Sequence, residues 1–296
     1  MFAMKTARLP NQLRLACVPV RGTSFVDVVL AVRAGSRYES SSQAGISHFV
    51  EHMLFRGCAK YPSAYALNHA LESQANGLEA GTTREFTLFS IQTLPENLPE
   101  TLEILQDLFE NPLFEGIETE KGIVFEELLE ELDDHGEDAD LDNISRKLLF
   151  GEHPLSRPVL GSRESLEKLK RPDLKEYFSR VYAPANCVLV ATGNVDPDLF
   201  FQQAEKTFGK LKNPGVFADP SSRVLLPPGK LPCGMKGPVL KHRKKPGDSQ
   251  VEMLLSFVAQ GEGSDAYLPQ LAVERILDDG LASRLQRNLC EQKGCS

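Results

Sequence analysis

His48, Glu51 and His52, in the run HFVEH, carry the most legible chemistry in this chain. On an α-helix these positions are i, i+3 and i+4, so the three side chains share one face. Two imidazoles one turn apart can each turn a nitrogen toward a single zinc ion. Glu51 then stands beside the metal, placed to take a proton from a water that the metal has acidified. A catalytic zinc usually has three protein ligands and one open position. The motif supplies two, so the third, a carboxylate, has to come from elsewhere in the chain.

A helix carrying that motif needs a face to rest on. Ile46, Phe49, Val50, Met53 and Leu54 form one apolar stripe, with Ser41 and Ser42 as N-cap hydroxyls and Gly57 as a stop, which predicts a helix running to about Phe55. Before it, residues 12–20 and 24–34 are rich in Val and Leu and read as a strand pair around Arg21-Gly22-Thr23. A second helix follows Ser63 and ends at Asn76-Gly77. From Leu78 to Leu94 the period changes to two, predicting a strand. Helices are expected at 98–110, at 117–134 with Ile117, Ile123, Val124, Leu128 and Leu132 on one side, at 139–150, and from Pro172 to Tyr182. Asn186–Thr192 reads as a buried strand, and Asp196-Pro197 caps a helix to about Leu211. This order is α+β: a mostly antiparallel sheet packed against several helices, not strict βαβ alternation.

The residues around the motif extend it. GSRYES…GISHFVEHMLFRG resembles the signature of the M16 metallopeptidases, the pitrilysin, insulinase and mitochondrial processing peptidase family. ETEKGIVFEELLEE resembles that family's glutamate helix, ANGLEAGTTREFTLFS its substrate-pairing strand, and HPLSRPVLGSRESLEKL its HPxGxxxxG segment. YAPANCVLVATGNVD resembles the strand ending the first domain, and LDDGLASRLQRNL a segment early in the second. The resemblance implies that Glu127 is the third ligand of one zinc ion and that Glu120, seven residues earlier on the same helix, orients a ligand or the water. Glu126 points about 100° away from Glu127. The resemblance also implies that Glu79 and Ala80 lie on the strand edge where substrate pairs, with Glu79 standing where the family usually has Asn. Cys290 occupies the place of an Arg, and the family's Tyr does not occur before Ser296.

Three segments follow: a zinc-binding peptidase domain at 1–212, a proline-rich linker with a basic stretch at 213–248, and the beginning of a second similar domain at 249–296, with a strand from 249 and a helix over 266–279. The implied activity is a zinc-dependent endopeptidase acting on short or unfolded peptides. The alternative is a non-catalytic subunit or truncated fragment that binds peptides or scaffolds a complex, and a homodimer or a second M16-like subunit is the expected partner. A formal net charge of −8 argues against nucleic acid. Apolar runs too short for a bilayer and the lack of a signal-type leader point to a cytoplasmic protein that does not enter membranes. The six scattered cysteines, without a CxxC pair, read as reduced thiols.

Overall fold

The computed structural model describes residues 4–133, 135–212 and 252–294. Six strands form one sheet: β1 (Lys5–Arg8), β2 (Arg14–Pro19), β3 (Val26–Val32), β4 (Glu79–Thr82), β5 (Thr87–Thr93) and β6 (Cys187–Gly193), in the spatial order β1-β2-β6-β3-β5-β4. β2 and β6 run parallel, and every other neighbouring pair is antiparallel. The period-two pattern gives the sheet one dry face. Val26, Val28, Leu30 and Val32 of β3, Thr87, Phe89, Ile91 and Thr93 of β5, and Leu189 and Ala191 of β6 are buried, and the residues between them are partly or fully exposed.

The helices of the first two described stretches are α1 (Ile46–Leu54), α2 (Ala64–Gln74), α3 (Leu98–Glu110), α4 (Ile117–Glu130), α5 (Leu141–Phe150), α6 (Arg163–Lys168), α7 (Arg171–Val181) and α8 (Pro197–Phe208), and α9 (Tyr267–Leu277) follows in the third. Leu102 and Leu105 of α3, Leu174 and Phe178 of α7, and Phe200 and Phe208 of α8 join the dry face of the sheet in a single apolar cluster. α1 lies within this cluster. At nine residues it is shorter than the ~12–15 an isolated helix needs in water, so burial holds it rather than propensity. Ile46, Phe49, Val50, Met53 and Leu54 are all fully buried. The helix begins at Gly45, whose φ of +86° is left-handed and where a Cβ would meet the Leu160 carbonyl at 2.5 Å.

Several expectations are corrected. β2 and β3 are not partners, because β6 lies between them and pairs with both. The single strand at 78–94 is a hairpin, β4 and β5, turning where Thr83 accepts from the Glu85 and Phe86 amides. Ser41 and Ser42 belong to a short 3₁₀ turn and do not cap α1. Ile123 is exposed although Val124 and Leu128 of the same helix are buried. The expected linker at 213–248 lies outside the described residues. Residues 252–261 form no strand: among the described residues they pair with none of the six strands, and an unpaired extended segment has no ladder to hold it. The helix expected over 266–279 is α9, which buries none of its residues. Cys17, Cys58 and Cys187 are free and buried. No helix of the described residues is long and apolar enough to cross a membrane.

Candidate metal centre

α1 turns its apolar stripe into the core, which leaves His48 and His52 on its flank facing α4. The two helices are in contact, and Glu120 and Glu127 project from α4 toward that flank. The His48 and His52 Nε2 atoms are 3.2 Å apart. Glu127 places its carboxylate across both, with Oε2 at 3.7 Å from His48 Nε2 and Oε1 at 3.6 Å from His52 Nε2. Among the described residues these three form the group of side chains able to hold a metal ion. Ligand atoms ~2.0–2.2 Å from one tetrahedral zinc sit roughly 3.3–3.6 Å from each other. The observed triangle matches that size, and two imidazoles with one carboxylate are a donor set that zinc accepts.

The protonation states fit as well. Burial, reinforced by the neighbouring His52, pushes the His48 imidazole down to about 3, so the ring is neutral near pH 7 and keeps a lone pair. His52 donates from Nδ1 to Glu120 Oε2 at 3.2 Å, which frees its Nε2. Glu120 is buried, and its other oxygen accepts from Arg56 at 3.2 Å. The buried His48 Nδ1 has no hydrogen-bond partner among the described residues.

Glu51 is 7% exposed, beside the histidines on α1. Burial raises its carboxyl above the ordinary range, only partly countered by Thr82, whose hydroxyl donates to Oε2 at 2.6 Å. His52 and Glu127 are both near enough to bear on its charge. Thr82 ends β4 and also hydrogen-bonds Thr87 at 3.1 Å. The edge strand is thereby tied to Glu51. Glu79 and Ala80 lie on the same strand, opposite Ser90 and Phe89, with Glu79 exposed. Cys290 is half-buried in a π-helical turn, Gln286–Glu291.

Thus the fold brings Glu120 and Glu127 of α4 to His48, Glu51 and His52 of α1, a segment distant in sequence. Sequence reasoning missed three residues here. Thr82 was legible as a hydroxyl on the strand after the glycines. Arg56 stands four residues after His52. Glu39 is buried and accepts from the Gly45 and Ser47 amides at 2.8 Å each, replacing the expected serine cap of α1.

Comparison with known proteins matches residues 16–163 to the family described as insulinase, peptidase family M16, and residues 168–296 to the M16 inactive domain. The chain is 31% identical over 207 residues to the mitochondrial-processing peptidase subunit beta of Saccharomyces cerevisiae, covering 69% of this chain and 44% of that one. It is 29% identical over 289 residues to an uncharacterized zinc protease of Mycobacterium leprae, covering 97% of this chain and 62% of the other. The chain therefore spans less than two thirds of the length of these relatives. A protease from Helicobacter pylori has a similar fold, with a TM-score of 0.78 at 21% identity over 99% of this chain and 69% of that one.

Proposed function

Because the chain belongs to the M16 peptidase family, we propose that it is a zinc-dependent endopeptidase, with one zinc ion held by His48, His52 and Glu127. The convergence of those three side chains beside a buried glutamate carries the reading. Zinc, when bound, polarises a peptide carbonyl and acidifies a water molecule. Glu51 is the base. Its raised proton affinity suits it to accept a proton from the attacking water and pass it to the leaving amine. Thr82 holds that carboxylate in one orientation, and Glu120 holds His52.

β4 lies at the edge of the sheet, with one side of its backbone unpaired by any strand of the described residues. An extended peptide adds there as a further strand, contacting Glu79 and Ala80. This favours short or unfolded chains, because a folded substrate cannot offer an extended backbone. Residues 1–212 are read as the metal-bearing domain, supported by β6 at mid-sheet and by Asn11, which donates to the Phe208 and Leu211 carbonyls. Residues 213–248 are read as a linker, and 249–296 as the start of a second similar domain. Further M16-like chain, a homodimer partner or a second subunit encloses the substrate. The buried free cysteines suit a reducing, cytoplasmic compartment.

The test is an internally quenched unfolded peptide assayed alongside zinc analysis. One zinc per chain is expected, with cleavage that stops on chelation. Glu51→Gln keeps zinc and loses ~10²–10⁴-fold in turnover. Undiminished turnover in that variant removes Glu51 from the mechanism. The non-catalytic reading is favoured by Cys290 at a position where the family carries an arginine. It predicts bound zinc and no turnover, even with a second M16-like half supplied.

A further inference from the structure

Arg56 follows the C-terminus of α1 and reaches across to α4. Its Nη1 donates to Glu120 Oε1 at 3.2 Å, and Glu120 Oε2 accepts from His52 Nδ1 at 3.2 Å. The Glu120 side chain is only 8% exposed and the Arg56 side chain 32%. A carboxylate buried that deeply is costly unless both oxygens are satisfied. One oxygen on the guanidinium and the other on the imidazole satisfy them and fix the rotation of the carboxyl group between two helices.

The backbone makes room for this arrangement. Gly116 precedes α4 with φ +75°, and a Cβ there would lie 2.8 Å from Arg56 Nη2, 3.2 Å from Nε and 3.3 Å from Cζ. The guanidinium fills the space that a side chain at 116 would occupy. It therefore sits against the start of the helix that carries both Glu120 and Glu127.

We propose that Arg56 is a positioning residue of the metal centre. Seated against Gly116, it pins Glu120, which holds His52 with Nδ1 protonated and Nε2 aimed at the site. The inference rests on the zinc reading above. Charge and orientation make opposite predictions. A cation removed from near a dication tightens metal binding through Coulomb's law alone, whereas losing the brace behind Glu120 weakens it.

The experiment measures Zn2+ affinity of the full chain by competition with a chromogenic chelator, with urea unfolding of the metal-free forms alongside. Arg56→Met is expected to weaken zinc by ~10–100-fold. Arg56→Lys should recover affinity to within about fivefold of wild type, because the contact to Glu120 is a single hydrogen bond. Gly116→Ala, which displaces the guanidinium, should also weaken zinc, but add no further loss when combined with Arg56→Met. That cycle separates displacement of Arg56 from backbone strain at 116. It also carries the test through Gly116→Ala and Arg56→Lys if Arg56→Met folds poorly. Unchanged or tighter zinc binding in Arg56→Met, or additive losses in the cycle, overturns the role of Arg56 while leaving the zinc site standing. A wild-type chain that takes up no zinc overturns both.

Discussion

The N-terminus of α1 gives the sharpest test of how the helix bearing His48 and His52 is held. Glu39 is 5% exposed, and its two oxygens accept from the Gly45 and Ser47 amides at 2.8 Å each. α1 has no side-chain cap of its own, so this carboxylate from the preceding loop satisfies amides that would otherwise be buried unpaired. Arg157 donates to the Glu39 carbonyl and keeps the loop in place. Glu39→Ala orphans both amides at about 1–3 kcal/mol each and removes a negative charge from the positive end of the helix, so the loss is about 3–5 kcal/mol. For a chain this long that is about 6–20 °C in melting temperature. Glu39→Gln keeps one acceptor and turns an NH₂ toward the other amide, so about half of that loss is expected. Urea unfolding followed by circular dichroism, on zinc-loaded and chelated protein, measures both. Because the same helix carries His48 and His52, zinc affinity should fall with stability. An Ala variant within ~1 kcal/mol of wild type would falsify the capping argument.

Two further outcomes follow from the same geometry. Thr82→Val removes the hydroxyl from Glu51 at nearly constant volume, so kcat should fall several-fold with zinc affinity unchanged, and an unaltered kcat would show that Glu51 needs no such restraint. In metal-free protein the His48 imidazole titrates at about 3, well below its ordinary 6.5, because burial disfavours the charged ring. The unfolded chain therefore binds the proton more readily. The stability that the neutral ring contributes is complete above about pH 6.5 and is lost as pH falls, by about 2 kcal/mol at pH 5. Urea midpoints of chelated wild type at pH 8 and 5, against His48→Asn, read that difference, and parallel slopes in the two proteins would refute it.

The chain itself wrote out the helix of the candidate metal centre. Spacing alone put His48, Glu51 and His52 on one face, because 3.6 residues per turn leaves no choice once the apolar stripe at Phe49, Val50 and Met53 faces the core. Alternation likewise marked β5 and its two sides, and apolar runs rich in Val and Leu marked β3 and β6. The third carboxylate was legible through likeness to a family and not through physics, since no local rule links Glu127 to His48 across the intervening chain.

Tertiary structure decided what depends on long-range pairing. β6 inserts between β2 and β3, an arrangement that hydrogen bonds between distant segments select and that no window of sequence encodes. The hairpin at Thr83–Phe86 puts Thr82 against Glu51. The cap of α1 comes from Glu39 and not from the adjacent serines, because the approach of Leu160 to Gly45 sets the direction in which the chain enters the helix. Sequence determined which side chains can do chemistry and which face of each element they occupy, since both follow from local backbone periodicity. Only the packing of α1 on α4 and on the hairpin brought Glu127 to 3.6–3.7 Å from the two imidazoles, and set Glu120 and Thr82 within hydrogen-bonding reach of His52 and Glu51. Those distances depend on contacts between segments far apart in the chain.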